Sequence, residues 1–255
     1  MTGAGNNTYL LVDGASATLI DAGVAEPRHL ANIADALDHQ GARLDRVLVT
    51  HAHADHASGA VALAAAHPSA AFFKCPWPEQ DGRFDVPWHP IADGDRIPLG
   101  NEELVVLQTP GHSPDHLVFW HQATGTMFTG DLVVLGGSVM IDASHGGDLA
   151  EYMQSLQRLL ALAPVRLLPA HGAEVAEPAP LLRGYIGHRR LREQQVVTAL
   201  AAGRDTVPSI AESIYDGLAA ALVPAARENV LAHLIKLQRE GRVVEEDGRW
   251  RPTAT

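Results

Sequence analysis

Four side chains of metal-ligand type, His51, His53, Asp55 and His56, fall within six consecutive positions. They follow the apolar run Val47-Leu48-Val49, which predicts a buried strand, so the cluster is expected on a loop leaving that strand rather than on a helix. Zinc takes nitrogen and oxygen ligands at about 2 Å, and such a loop can wrap its donors around two adjacent ions. The plainer alternative is a polar turn whose histidines cap the next helix, but four ligand types in six positions is a rare accident for a turn. Further candidates recur after later strand-like runs: His112 in Thr109-Pro110-Gly111-His112, Asp131 in Thr129-Gly130-Asp131, and His171 in Pro169-Ala170-His171-Gly172. Singly, each reads as a capping or hydrogen-bonded residue; together they complete two sites. The single cysteine, Cys75, excludes an internal disulfide and a multi-cysteine zinc site, so any metal must be held by imidazoles and carboxylates.

Such residues need a scaffold. Residues 8–12, 17–20, 46–49, 104–108, 116–120 and 126–128 read as short strands, and 29–40, 59–67 and 149–162 as helices, which together indicate an α/β protein with layered sheets. Glu177-Pro178-Ala179-Pro180 interrupts the pattern and marks a joint, giving expected domains at 1–178 and 179–255. Beyond it, residues 181–202, 209–215 and 225–239 read as helices, and 243–251 as a hairpin around Asp247-Gly248. Three helices and a terminal hairpin suggest a winged helix.

At 255 residues and 46% hydrophobic content the chain can bury a real core. It shows neither a basic, apolar leader pattern nor a run approaching the roughly 18–20 apolar residues of a membrane span, so a cytoplasmic protein without a membrane partner is expected. Charge is uneven. Residues 1–182 hold 8 Lys and Arg against 21 Asp and Glu, net −13, whereas residues 183–255 hold 11 against 9, net +2.

Asp21 in Leu19-Ile20-Asp21-Ala22-Gly23, the His51–His56 cluster, His112, Asp131 and His171 match in order the five motifs of the metallo-β-lactamase superfamily, and the sequence resembles a member of it. The resemblance implies an αββα sandwich, followed here by a small winged-helix-like domain, with the metal site at one edge of the paired sheets. It also implies that His51, His53 and His112 hold one zinc, that Asp55, His56 and His171 hold the other, and that Asp131 bridges them. Asp21 resembles a residue that supports the metal loop, and His116 one that supports the ligands by hydrogen bonding. The segment Tyr185-Ile186-Gly187-His188-Arg189-Arg190-Leu191-Arg192 and the winged-helix pattern are similar to the β-lactamase-like protein 2 group, which includes an endoribonuclease. That group carries an extra strand before Gly5-Asn6-Asn7-Thr8-Tyr9; with Met1 so close, a trimmed start or a missing edge strand is expected.

Two zinc ions some 3.5–4 Å apart can share a water and supply a bridging hydroxide near neutral pH, with Asp55 and Asp131 orienting it. Iron or manganese would suit the same donors. The expected substrate is a small ester, thioester or lactone. Cleavage of single-stranded RNA is the alternative, disfavoured by the acidity of the metal-bearing region, since nucleic-acid binding relies on Lys and Arg. Arg189, Arg190 and Arg192 read more simply as a solvated face with Glu193. A winged-helix DNA-binding regulator is the non-enzyme alternative, although 225–239 offers only Arg227, Lys236 and Arg239 as cations. A true β-lactamase ranks lower because one class's cysteine ligand is absent. Phe72, Phe73, Trp77 and Trp88 either form a substrate-facing flap or cover a sheet, Cys75 reads as inert, His145 in the glycine-rich 136–147 loop either lines a substrate cleft or, more simply, is solvent-exposed without a role, and His233 reads as structural or solvated.

Overall fold

The computed structural model describes residues 5–253; residues 1–4, on which the expectation about an N-terminal edge strand turns, lie outside the described residues. In chain order the elements are β1 (Tyr9–Asp13), β2 (Ser16–Ile20), α1 (Pro27–Gln40), β3 (Arg43–Leu48), α2 (Ala54–Ala57), α3 (Ala60–Ala66), β4 (Ala71–Lys74), α4 (Pro78–Asp81), β5 (Trp88–Pro90), β6 (Arg96–Leu99), β7 (Glu102–Gln108), β8 (Leu117–His121), β9 (Thr126–Gly130), α5 (Leu149–Leu162), β10 (Arg166–Pro169), α6 (Pro178–Ala201), α7 (Val207–Ile214), α8 (Val223–Arg239), β11 (Val243–Glu246) and β12 (Arg249–Pro252). Among the described residues no helix is long and apolar enough to cross a membrane. The chain divides into two compact units.

The first unit comprises Met1–Thr109, Asp115–Gly137 and Leu162–Ala179 and holds two five-stranded mixed sheets. One runs β1-β2-β3-β4-β5, parallel except for the β1–β2 hairpin; the other runs β10-β9-β8-β7-β6, antiparallel except where β10 joins β9. Period-two alternation builds the layer between them: Leu104 and Val106 of β7 join Ile20, Leu48, Leu117, Phe119 and Phe128 in one buried cluster. The opposite face of the first sheet buries Leu19, Val47 and Phe72 against Ile33 and Leu37 of α1 and Leu63 of α3. Phe72 is enclosed in that cluster with Trp77 and Trp88 packed against it, and Phe73 packs on the inter-sheet core, so these aromatics cover the sheet. Helix α1 starts on a Glu26 cap that accepts from His29 N, with Pro27 at a first-turn position, and stops at Gly41, whose φ of 61° is left-handed.

The second unit comprises Pro110–Pro114, Ser138–Ala161 and Pro180–Thr255. Its core gathers Val196 and Leu200 of α6, Ile210 of α7, Val230, Leu234 and Leu237 of α8, Val243 of β11 and Trp250 of β12. Thr206 and Ser209 form a reciprocal capping box at the start of α7. Asp247 and Gly248 both take positive φ, 52° and 76°, the geometry of a tight primed hairpin turn. Pro178 and Pro180 of the stretch read as a joint also lie in the first turn of α6, where prolines are tolerated because that turn's amides have no intrahelical acceptor. Arg189 is not part of a solvated face: it is 3% exposed, donates to Asn229 Oδ1 at 2.9 Å and to Val139 O, and lies over the Tyr152 ring. Arg192 lies over Tyr215, with its guanidinium 4.6 Å from the ring centre.

Candidate metal centre

The candidate ligands of the first unit leave the ends of β3, β9 and β10. His51 lies three residues past β3, and Asp55 and His56 sit on the single turn of α2 with His53 as its N-cap, so only the first half of the cluster is true loop. Asp131 follows Gly130, the last residue of β9, and His171 follows β10 by two residues.

Asp21 organises this region. It takes a left-handed φ of 62°, which Asp tolerates better than most residues, and is 2% exposed. Its carboxylate accepts from Thr50 N at 2.8 Å and Thr50 Oγ1 at 3.1 Å, and its Oδ2 lies 2.8 Å from His56 Nδ1. Backbone bonds from Asp21 N to Leu48 O and from Ala22 N to His56 O lock the same segment to both ends of the cluster.

The side chains converge. His56 Nε2 lies 3.6 Å from Asp55 Oδ2 and 3.5 Å from Asp131 Oδ1; His171 Nε2 lies 3.2 Å and 3.3 Å from the same two atoms. His51 Nε2 and His53 Nδ1 face each other at 2.9 Å. Two sets, His51 with His56 and Asp131, and Asp55 with His56 and His171, can each bring one ligand atom within 4.8 Å of the others. His112 lies on the segment 110–114 that joins β7 to β8, in the second unit, with Nδ1 3.0 Å from Met140 O.

Electrostatics favour cations here. Burial disfavours a charged His56, but Asp21 and Asp131 outweigh it and raise its pKa well above the usual imidazole value. Hydrogen bonds to Asp131 and Asp55 push His171 up to about 10. Asp131 is driven well below the usual carboxylate range: burial raises it, and His171 and His56 more than reverse that. Asp55 is lowered in the same way, burial being overcome by His171 and His56.

The donor set fits a divalent metal. His56 Nε2 is buried and has no hydrogen-bond partner among the described residues, while its Nδ1 is fixed on Asp21, so Nε2 is the nitrogen that faces the carboxylates and that a metal would take once its proton is released. Imidazoles and carboxylates without thiolate suit zinc, iron or manganese.

Supports from distant positions were invisible in the sequence. Asn6 donates through its amide to Asp55 O, and Asn7 Nδ2 donates to Pro169 O at 3.1 Å and Gly172 O at 2.9 Å on either side of the His171 turn. His171 Nδ1 lies 2.9 Å from Gly5 O, leaving Nε2 for the carboxylates. Asp115 Oδ2 accepts from Ala52 N at 2.9 Å. His116, fully buried, accepts from Asp131 N at 3.1 Å through Nε2, which leaves Nδ1 to donate to Thr109 Oγ1 at 2.8 Å. It therefore holds the loop that carries Asp131 by hydrogen bonds. Gly130 is required beside it: a Cβ there would lie 2.9 Å from His116 Nε2 and from Thr50. His145 is exposed and paired with Asp142, and buried Cys75 has a thiol pushed up by desolvation.

The fold and this cluster define a metal-dependent hydrolase. The chain belongs to the metallo-beta-lactamase superfamily, whose family profile matches residues 1–171, and a beta-lactamase associated winged helix domain matches residues 206–250. Among its relatives, a beta-lactamase-like protein 2 homolog of Drosophila melanogaster is 33% identical over 95% of this chain and 85% of its own. The lactamase-like protein vrtG of Penicillium aethiopicum is 34% identical over 96% and 79%. A beta-lactamase domain protein from Burkholderia ambifaria superposes with a TM-score of 0.81 over 97% of this chain and 87% of that one, at 21% identity. The crystal structure of TTHA1623 in a di-iron-bound form matches at 32% identity and a TM-score of 0.58 over 68% and 91%.

Proposed function

We propose that the protein is a dinuclear, zinc-dependent hydrolase of a small ester, thioester or lactone. The observation that carries the reading is the convergence of Asp55, His56, Asp131 and His171 around a buried His56 Nε2 that has no hydrogen-bond partner among the described residues. In this reading His51, His53 and His112 hold one ion, Asp55, His56 and His171 hold the second, and Asp131 serves both. That TTHA1623, a structure this chain is similar to, is known in a di-iron-bound form supports a two-metal reading and makes iron the alternative cofactor.

Bound divalent ions supply Lewis acidity toward the scissile group and a water acidified toward neutral pH. The chain's own residues do the rest. Asp21 keeps the His56 proton on Nδ1, Gly5 O keeps the His171 proton on Nδ1, and the His116 contact fixes the backbone that carries Asp131. Asp55 and Asp131 then present carboxylate oxygens that can accept a proton from the attacking water and orient it.

Charge favours an acyl substrate over a polyanion, because residues 1–182 carry net −13. Several basic residues of the second unit also support this, being already paired: Lys236 with Glu193 and Glu240, Arg239 with Asp148, Arg242 with Glu193. The test assays metal-quantified protein against thioesters, lactones, a chromogenic β-lactam and single-stranded RNA. Two metals per chain and turnover of an acyl substrate are expected. Fewer than one metal per chain under zinc-replete conditions would sink the dinuclear reading, and RNA cleavage without acyl turnover would replace the substrate class.

A further inference from the structure

Lys74, the last residue of β4, is 1% exposed, and a lysine so buried is tolerated only where its charge is matched. Its ammonium donates to Cys75 O at 2.5 Å and to Asp81 Oδ1, and lies 3.3 Å from Asp115 Oδ2. Asp81 closes α4, and its other oxygen accepts from Trp77 N at 2.9 Å. Asp115 is fully buried, and its Oδ2 accepts from Ala52 N, the amide between His51 and His53. A continuous polar chain thus runs from α4 through Lys74 and Asp115 to the backbone that carries two candidate ligands. The next residue, His116, holds Asp131 N, and Leu117 N donates to Thr50 O at 2.8 Å, so three consecutive residues brace both metal-bearing loops.

We propose that Lys74 is a positioning residue for the metal centre, its buried ammonium fixing Asp115 so that Asp115 sets the Ala52 amide and with it the His51 and His53 rings. The inference rests on the reading of His51 and His53 as ligands. Without the ammonium, Asp115 would lose the cation that matches its buried charge and would turn toward other donors or water. Its grip on Ala52 then weakens, and the backbone that sets the spacing of the two imidazoles is held less firmly.

The experiment uses the full-length protein as wild type, Lys74→Met, Asp115→Asn and Ile33→Ala, the last a core truncation on α1 that lowers stability away from the ligands. Stepwise zinc affinities are measured by chelator competition, ligand geometry by the visible spectrum of the cobalt(II)-substituted protein, and stability by urea unfolding. Lys74→Met and Asp115→Asn are expected to weaken one of the two zinc-binding steps about 10–100-fold, the range for residues that orient metal ligands, and to alter the cobalt spectrum. Ile33→Ala should lose stability with both binding steps unchanged. Wild-type affinities and spectrum in Lys74→Met, alongside reduced stability, would overturn the proposal and leave Lys74 as a stabilising residue only. If Lys74→Met does not fold, Asp115→Asn decides alone by the same criteria. A wild-type protein that binds no metal would overturn the ligand reading itself, an outcome distinct from unchanged affinity in the variants.

Discussion

Replacing Asp21 by Asn separates metal binding from folding. Asp21 is 2% exposed and serves three groups at 2.8, 3.1 and 2.8 Å: Thr50 N, Thr50 Oγ1 and His56 Nδ1. Asn tolerates the left-handed φ of 62° and has the same shape, and its one amide oxygen can still accept from Thr50 N. The loss of charge-assisted bonding costs about 1.5–3 kcal/mol, below the 5–15 kcal/mol of a typical domain, so the fold survives. The effect on His56 is qualitatively different. A carboxylate only accepts and so holds the proton on Nδ1; an amide NH2 in its place donates to Nδ1 and drives the proton onto Nε2, the nitrogen that faces Asp55 and Asp131. A protonated Nε2 has no lone pair for a metal. Asp21→Asn should therefore weaken metal binding by at least the 10–100-fold typical of residues that orient ligands, measured by chelator competition, while urea unfolding of the metal-free protein shows the modest loss above. Wild-type metal affinity in a folded Asp21→Asn protein would refute the tautomer argument.

Three further predictions follow from the same geometry. In the metal-free protein His56 and His171 are both held protonated at pH 7, His171 by a pKa of about 10, so binding of metal by neutral imidazoles should release roughly two protons, and apparent affinity should rise with pH; calorimetry in buffers of different ionisation enthalpy checks this, and zero release would contradict it. His233 is 2% exposed with no hydrogen-bond partner for either ring nitrogen among the described residues, and burial together with Arg189, Lys236, His188 and Arg192 pushes its pKa down to about 3. Because the unfolded chain protonates first, its contribution is lost as pH falls below about 6.5, roughly 2 kcal/mol between pH 7 and 5, and His233→Leu should flatten that slope of the denaturation midpoint. Gly130→Ala should cost about 2–4 kcal/mol, combining a φ of 47° with contacts of 2.9 Å to His116 and Thr50, and a thermal-melt change within error would contradict the crowding.

The parts of the site legible in the sequence were those whose residue type is itself the signal. His51, His53, Asp55 and His56 announce a ligand cluster by spacing, and the long strands β2, β3, β7 and β8 by apolar runs. Short elements carried too little pattern: β4 spans four residues and β5 three, and both are strands because β3 offers a neighbour to pair with. Apart from Asp21 and His116, the supports were illegible for a different reason. Asp115 reaches Ala52 across 63 positions and Asn7 reaches Pro169 across 162, and nothing local distinguishes these residues from solvated ones. Arg189 failed the same way. A basic run on a helix reads as surface until Tyr152, Val139 and Asn229 are known to enclose one member of it.

The pairing of the basic residues bears on what the second unit contributes. A nucleic acid gains affinity from each cation that meets a phosphate, and each such contact steepens the loss of binding with salt. Arg249 is paired with Asp205 and Arg251 with Glu246, besides the pairs of Lys236, Arg239 and Arg242, so a phosphate would have to displace an existing carboxylate at each position. An exposed pair is worth at most about 1 kcal/mol, so displacement is feasible singly, but it removes most of the gain that several contacts would have to supply together. An uncharged acyl group meets no such cost. That asymmetry, rather than the metal ligands, is what favours a small ester, thioester or lactone, and it makes a shallow salt dependence of turnover the expected behaviour.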